Sequence, residues 1–200
     1  MHKNSKSSLG LLIAALMLSG APQANAVPAD ANKQAAALKA QQQLSAAFTA
    51  VEKASWIAEG TGTRIMYIFF DPNCPYCKKL YEELRPRVGH NGLQVRWIPV
   101  GILLPTSFGK AAAILEAKDP LLALRQNEEG FSTANGFGAA SETFASAKTT
   151  TALKQNADLL KQAGGQSVPT LLYRDKTGQI KTRQGAPSPK ILDALLAQVK

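Results

Sequence analysis

A run of seven mostly apolar residues, RIMYIFF at 64–70, constrains the fold more than any other segment of this chain. Its length and its content of β-branched and aromatic residues are typical of a buried strand. The residues Asp-Pro-Asn at 71–73 interrupt it, and a helical pattern follows from Cys74 to about Leu84. A second strand pattern, LQVRWIPV, covers 93–100. A strand, a helix and a strand in this order predict a right-handed parallel crossover, and therefore an α/β fold.

The rest of the chain supplies helices and a hairpin. Two strand patterns at 168–175 and 179–185 flank a short turn and predict an antiparallel pair. Ser188 and Pro189 are typical of a helix start and precede a final amphipathic helix. Helical patterns occupy 110–118, 120–129 and 151–163, with a Gly-rich loop at 130–141. We predict a mixed four-stranded sheet with helices on both faces and a helical insertion at about 104–165.

The first 26 residues are typical of an export signal. Lys3 and Lys6 precede an apolar run at 9–18, and small residues at 24–26 form a cleavage site. The apolar run is shorter than the roughly 20 residues of a spanning helix. We therefore expect cleavage after about Ala26 and export, most consistent with a bacterial periplasm, where a disulfide can persist.

Residues 27–58 form a second unit, a linker-like helix that precedes the main domain at 59–200. Leu44, Phe48 and Val51 follow helical spacing and give it one apolar stripe. That stripe can dock either on the main domain or on a partner. We favour the main domain, because a single helix usually buries its stripe against its own chain.

The charge pattern argues against nucleic acid as a partner. The net charge is +9, and it becomes +7 once Lys3 and Lys6 are removed with the signal. The basic residues alternate with acids and amides and never form a run of five or six. Such spacing is typical of a solvated surface rather than a binding groove.

The chain holds two cysteines, Cys74 and Cys77, at the predicted start of a helix. Unpaired backbone N–H groups and the helix dipole stabilise a thiolate at such a place. A thiolate attacks disulfides, so Cys74 is a candidate nucleophile and the more deeply placed Cys77 a candidate resolving thiol. Pro75 is suited to the first helical position, and Tyr76 can lean over the surface beside the sulfurs.

Other interpretations of the two cysteines stay open at this point. A disulfide that closes so small a ring gains little loop-closure entropy. A structural zinc site needs about four ligands, and only His90 remains as a histidine after cleavage. Two soft thiolates can hold Cu(I), so a copper-binding protein is an alternative function. A peptide-binding holdase is another.

A second motif, SVPT at 167–170, contains Pro169 at the start of a predicted strand. A proline there is tolerated as an initiating residue. It can equally form a cis Val168–Pro169 bond that leaves nearby backbone free to pair with an extended peptide. Spacing alone does not choose between these two possibilities.

The strand that ends in FFDPNCPYCKKL, the helical block, and VPT before a hairpin and a final helix together resemble the thioredoxin superfamily. Within it, the chain is similar to the exported DsbC/DsbG group of thiol:disulfide interchange proteins. The resemblance covers about Thr63 to the C-terminus. It implies an exported protein disulfide oxidoreductase or isomerase that works through a mixed disulfide and needs no cofactor.

The resemblance also assigns roles to residues. It makes Cys74 the attacking nucleophile, Cys77 the resolving cysteine and Pro169 a cis-proline that faces them. Val168 and Thr170 flank that proline, and Val168 would offer backbone to the substrate. Together with Pro75 and Tyr76 they form the expected substrate-binding set. The implied partners are cysteine-containing exported proteins and a membrane protein that recycles the dithiol.

Two departures from the family pattern bear on function. The DsbC/DsbG group carries an N-terminal dimerisation domain ahead of a linker helix, whereas residues 27–58 hold only a linker-like helix, so we expect a monomer. Thioredoxin itself places an acid on the strand six residues before its first cysteine. Ile68 occupies that position here.

Overall fold

A computed structural model of the chain describes residues 29–135 and 137–200. The predicted export signal at 1–26 lies outside these residues. Strands, in chain order, are β1 Ile57–Glu59, β2 Arg64–Phe70, β3 Leu93–Pro99, β4 Thr170–Arg174 and β5 Ile180–Gln184. Helices are α1 Ala29–Val51, α2 Pro75–Leu84, α3 Ser107–Glu116, α4 Pro120–Glu129, α5 Ala147–Gln162 and α6 Pro189–Leu196.

The strands form one mixed sheet in the order β1-β3-β2-β4-β5. β2 and β3 are parallel, and the other three pairs are antiparallel. The predicted α/β thioredoxin-like fold is confirmed, although the sheet has five strands rather than four. The additional strand, β1, is only three residues long, so its sequence carries too little alternation to be recognised. It is held at the sheet edge, where Ile57 pairs with Trp97 of β3.

The centre of the core is β2. Its residues 66–70 are all buried, so both faces of the strand are covered. Ile68 is level with Trp97 of β3, and the Trp97 ring contacts Tyr81 of α2 at a centroid distance of 5.9 Å. Successive strand residues point to opposite faces, and Tyr67 accordingly meets Phe48 of α1, with ring centroids 5.6 Å apart. Thus α2 covers the face that bears Ile68, and α1 covers the other.

The apolar stripe of α1 docks on the same chain. Ala47 and Val51 are fully buried, Phe48 is nearly so, and Leu44 packs at the edge of the core. The helix contacts β5 and α5. Docking on the main domain, the favoured alternative, is therefore what the structure shows.

The helical insertion differs from the sequence pattern mainly at its boundaries. Helix α4 matches its predicted bounds, and the Asp119 carboxylate accepts the Leu122 N–H at 3.0 Å as an N-cap. Helix α5 begins four residues earlier than predicted, because Ser146 caps it by accepting the Thr149 N–H at 3.2 Å. The β-branched threonines that follow Ser146 lower helix propensity and conceal this start.

Candidate redox site

Cys74 is the N-cap residue of α2, directly after the loop that follows β2. Its backbone is extended, with φ −89° and ψ 114°, and its sulfur accepts the Cys77 N–H at 3.3 Å. Pro75 is the first helical residue and has no N–H to leave unpaired. The helix start therefore aims backbone donors at the Cys74 sulfur, the arrangement that stabilises a thiolate.

The two thiols are both free and buried, yet their pKa values are shifted in opposite directions. The pKa of Cys74 is lowered from its usual value, chiefly because the Cys77 thiol donates a hydrogen bond to it; burial opposes this effect. The pKa of Cys77 is raised well above its usual value, chiefly by burial. Exposure alone does not separate them, since Cys74 is 2% and Cys77 1% exposed. Hydrogen bonding makes Cys74 the thiol that ionises first.

The SVPT segment lies directly against Cys74. The Val168–Pro169 peptide bond is cis, and the Cys74 thiol donates to the Val168 carbonyl at 3.5 Å. Ninety-four residues separate these partners. Pairing of β2 with β4 brings them together, because Phe69 is level with Thr170.

The other predicted site residues occupy different environments. Pro75 is exposed, and Tyr76, 63% exposed, lies on the surface of the first turn beside the cysteines. Thr170 is fully buried, and its hydroxyl donates to the Ser167 carbonyl at 2.6 Å. Thr170 therefore shapes the turn around Pro169, and its side chain does not reach the surface.

Asp71 is a structural residue of the site that the sequence interpretation treated only as a strand breaker. It is fully buried, and one carboxylate oxygen accepts from the Asn73 N–H at 2.9 Å and the Ser107 hydroxyl at 2.7 Å. The other accepts from the N–H groups of Ile102 and Leu103 at 2.6 and 2.9 Å. The Asp71 side chain thus joins the active loop, residues 71–74 between β2 and α2, to the segment that leads into α3.

Asn73, just before Cys74, extends this connection. Its amide donates to the Thr106 and Ser107 hydroxyls at 2.9 and 3.0 Å. Its carbonyl oxygen accepts from buried Lys110 at 2.9 Å, and Lys110 also donates to the Gly138 carbonyl at 2.7 Å. The insertion therefore fixes the loop that presents Cys74.

Glu128 of α4 is the second residue that the sequence interpretation missed. It is 2% exposed, and one carboxylate oxygen accepts from Asn127 at 3.1 Å. The other, Oε2, is buried without a hydrogen-bond partner among the described residues. The pKa of Glu128 is raised to about 8, chiefly by burial. Its position four residues after the buried Leu124, on the inner face of α4, is the signal that could have revealed it.

Among the described residues, no group of three or more histidine, cysteine, aspartate or glutamate side chains is placed to hold a metal ion. Within that same part of the chain, no helix has both the length and the apolar character needed to cross a membrane.

Comparisons with known proteins support the sequence resemblance. The chain is 36% identical over 152 residues to the thiol:disulfide interchange protein DsbG of Pseudomonas aeruginosa, covering 73% of this chain and 57% of that protein. It is 31% identical over 150 residues to DsbG of Escherichia coli, covering 73% of this chain and 58% of that protein. The chain thus spans a little over half the length of these relatives. The predicted likeness to the DsbC/DsbG group is confirmed.

Solved structures agree on the fold. A periplasmic thioredoxin-like protein of Salmonella enterica serovar Typhimurium aligns with a TM-score of 0.58 and 21% identity, covering 72% of this chain and 88% of that one. The catalytic domain of Proteus mirabilis ScsC aligns with a TM-score of 0.59 and 17% identity, covering 78% and 96%. The family model described as a thioredoxin-like domain matches residues 51–200, three quarters of the sequence. The chain therefore belongs to the thioredoxin-like family.

Proposed function

We propose that this chain is an exported thiol:disulfide oxidoreductase that acts on cysteines of other exported proteins. The observation that carries the proposal is the pair of free thiols at the start of α2, with the pKa of Cys74 lowered and that of Cys77 raised. A thiolate beside a protonated thiol is the state in which a dithiol begins disulfide exchange.

The proposed reaction has two steps. The Cys74 thiolate attacks one sulfur of a substrate disulfide, that S–S bond breaks, and the other substrate sulfur leaves as a thiolate. The resulting mixed disulfide is resolved when Cys77 attacks the Cys74 sulfur, which oxidises the dithiol and releases the reduced substrate. The same steps in reverse oxidise a substrate dithiol. In isomerisation a second substrate thiol, rather than Cys77, attacks the mixed disulfide.

Substrate binding is assigned to Pro75 and Tyr76, which are exposed on the first turn of α2, and to the backbone of Val168 and Pro169 beside Cys74. When Cys74 forms a mixed disulfide it no longer donates to the Val168 carbonyl, so that backbone group is available to an extended substrate. Ile102 and Leu103, both nearly half exposed, follow β3 at the point where their N–H groups contact Asp71. Exposed apolar side chains whose backbone is tied to the loop before Cys74 suit substrates that present a cysteine within an unfolded, apolar segment.

Location and partners follow from the same proposal. The N-terminal signal pattern and the resemblance to the DsbC/DsbG group support a periplasmic protein that is recycled by a membrane redox partner. The proposal includes a monomer, because α1 buries its apolar stripe on its own sheet. It requires no cofactor, since the electrons stay on sulfur.

Insulin reduction tests the proposed activity. The reaction is followed with the wild-type chain, with Cys74→Ser and with Cys77→Ser in the presence of a small dithiol. We expect Cys74→Ser to reduce the rate to that of the dithiol alone, because no other residue forms the mixed disulfide. An undiminished rate in Cys74→Ser would refute the proposal.

A further inference from the structure

We propose that Glu128 is the buried proton acceptor for Cys77, taking the proton of that thiol when Cys77 resolves the mixed disulfide. This inference rests on the proposed function and adds a residue to it. Glu128 belongs to the helical insertion, whereas the acid of thioredoxin lies on the central strand, where this chain has Ile68.

Helix α4 is held firmly against the redox site. The Lys78 ammonium of α2 donates to the Glu128 backbone carbonyl at 3.1 Å, and Asn127 donates to the Pro72 carbonyl at 3.0 Å. At the other side, Arg125 forms two hydrogen bonds with the buried Glu59 carboxylate, at 3.0 and 3.1 Å. These contacts place α4 on the face of the sheet that α2 covers, and Glu128 belongs to the buried side of that helix.

One oxygen of the Glu128 carboxylate makes no hydrogen bond with the described residues. Asn127 satisfies one oxygen, whereas Oε2 has no hydrogen-bond partner among the described residues and is shielded from solvent. Leaving a carboxylate oxygen unpaired in the interior is unfavourable unless the group is protonated or serves a purpose. A purely structural acid at this place would gain nothing over glutamine, which can accept the same hydrogen bond from Asn127.

Charges around Glu128 couple it to the dithiol. Burial is the largest cause of both raised pKa values; in addition, the charge of Glu128 raises the pKa of Cys77, and the charge of Cys74 raises the pKa of Glu128. Asp71 of the active loop acts on Glu128 in the same direction, whereas Lys78 of α2 opposes it. Ionised Glu128 and ionised Cys74 thus disfavour each other, so formation of the mixed disulfide at Cys74 favours the carboxylate that can accept a proton.

Resolution of the mixed disulfide begins with a proton transfer. After Cys74 has become a mixed disulfide, the Cys77 thiol transfers its proton to the Glu128 carboxylate. The Cys77 thiolate attacks the Cys74 sulfur, the Cys74–Cys77 bond forms, and the bond between Cys74 and the substrate sulfur breaks. The departing substrate thiolate takes the proton from Glu128 or from solvent. The dithiol is oxidised by two electrons, and the substrate disulfide is reduced.

A two-phase reaction with the aromatic disulfide dithiobis(nitrobenzoate), used at less than one equivalent, separates the two steps. Attack by Cys74 releases the first coloured thiolate, and resolution by Cys77 releases the second. Both phases are measured by stopped flow across pH in the wild type, Glu128→Gln and Glu129→Gln. Glu129 is the matched control, because it is the next residue of α4 and is half exposed.

We expect Glu128→Gln to slow the second phase by about a hundredfold near neutral pH, the low end of what general-base catalysis contributes. In this variant the second phase should rise only at higher pH, where Cys77 ionises unaided. Glu129→Gln should match the wild type in both phases, and Glu128→Asp should retain part of the neutral-pH rate.

Four outcomes refute the inference or separate it from the proposed function. A second phase that is the same in Glu128→Gln and Glu129→Gln overturns the proton role. Equal slowing of both phases also overturns it, because it indicates displacement of α4. A wild-type chain without a first phase refutes the proposed function itself. If Glu128→Gln does not fold, the infrared difference spectrum between oxidised and reduced wild type decides, and absence of a carboxylic-acid band change overturns the role.

Discussion

At the scale of single residues, two chemically identical thiols differ because of their neighbours. Cys74 receives hydrogen bonds from the Cys77 thiol and from the first N–H groups of α2, whereas Cys77 is enclosed by core side chains. Donors aimed at a sulfur favour the thiolate, and burial favours the neutral thiol. Position within one helical turn therefore separates the pKa values of the two thiols, in the direction that the proposed roles require.

The first prediction concerns alkylation of the reduced protein. Because the thiolate is the reactive form, iodoacetamide should modify Cys74 first, and at a pH below the usual pKa of a thiol. Mass spectrometry of peptides taken over a pH series measures the order. Modification of Cys77 before Cys74, or of both only at alkaline pH, would contradict the assignment.

The second prediction concerns stability and pH. The folded-state pKa of Glu128, about 8, lies above its usual value of 4.5, so its contribution to stability is lost as pH rises from 4.5 towards 8. Glu128→Gln removes this dependence. In urea unfolding of the reduced proteins, the free energy of unfolding of Glu128→Gln should therefore rise relative to that of the wild type by up to a few kcal/mol over that window. A difference that is constant with pH would show that Glu128 ionises as in solution.

The local sequence was sufficient to predict some of the site residues and insufficient to predict others. Cys74, Cys77 and Pro169 stand in short motifs whose residue types carry their chemistry, and the structure brings all three together. Glu128 follows Asn127 and precedes another acid at a helix end, where charged residues are usually solvated. Its burial depends on how α4 docks on α2, and that tertiary arrangement is not encoded in a local pattern.

At the scale of secondary structure, the segment that leads from β3 into α3 supports the loop between β2 and α2. Asp71 accepts four hydrogen bonds, from Asn73, Ile102, Leu103 and Ser107. The bounds of β2 and α4 follow their predictions, because each has a full periodic pattern and clear end signals. The bounds of β1 do not, because three residues carry too little alternation, and the start of α5 does not, because threonines conceal the Ser146 cap.

The third prediction tests this support. In Asp71→Asn, an amide NH₂ replaces an oxygen that accepts N–H groups, so buried donors lose their partner. The free energy of unfolding should fall by about 3 kcal/mol. Asp158→Asn is the control, because Asp158 is exposed on α5 and should change stability by less than about 0.5 kcal/mol. Equal stability of the two variants in urea unfolding would refute the structural role of Asp71.

At the scale of the whole molecule, the chain is one thioredoxin-like sheet with an attached N-terminal helix. That helix turns Ala47, Phe48 and Val51 towards its own core. The residues of α1 that precede Ala47 contribute little apolar surface, although Leu38 among them is 66% exposed. An extensive apolar stripe, of the kind that stable helix pairing needs, is not found in the described part of α1.

The fourth prediction follows from this arrangement. Analytical ultracentrifugation of the processed chain should give the mass of a monomer over a wide concentration range. A concentration-independent dimer would contradict the proposal that α1 docks only on its own chain.

The most direct test of the central claim is to capture substrates through Cys74. Cys77→Ala cannot resolve a mixed disulfide within the active site, so its adducts persist long enough to be identified. The variant is produced with its own N-terminus in a Gram-negative host, and alkylated extracts are separated without reductant. Disulfide-linked adducts with exported cysteine-containing proteins, absent from the Cys74→Ala, Cys77→Ala double variant, are the predicted result. Absence of adducts, or adducts that persist when Cys74 is removed, would contradict the claim.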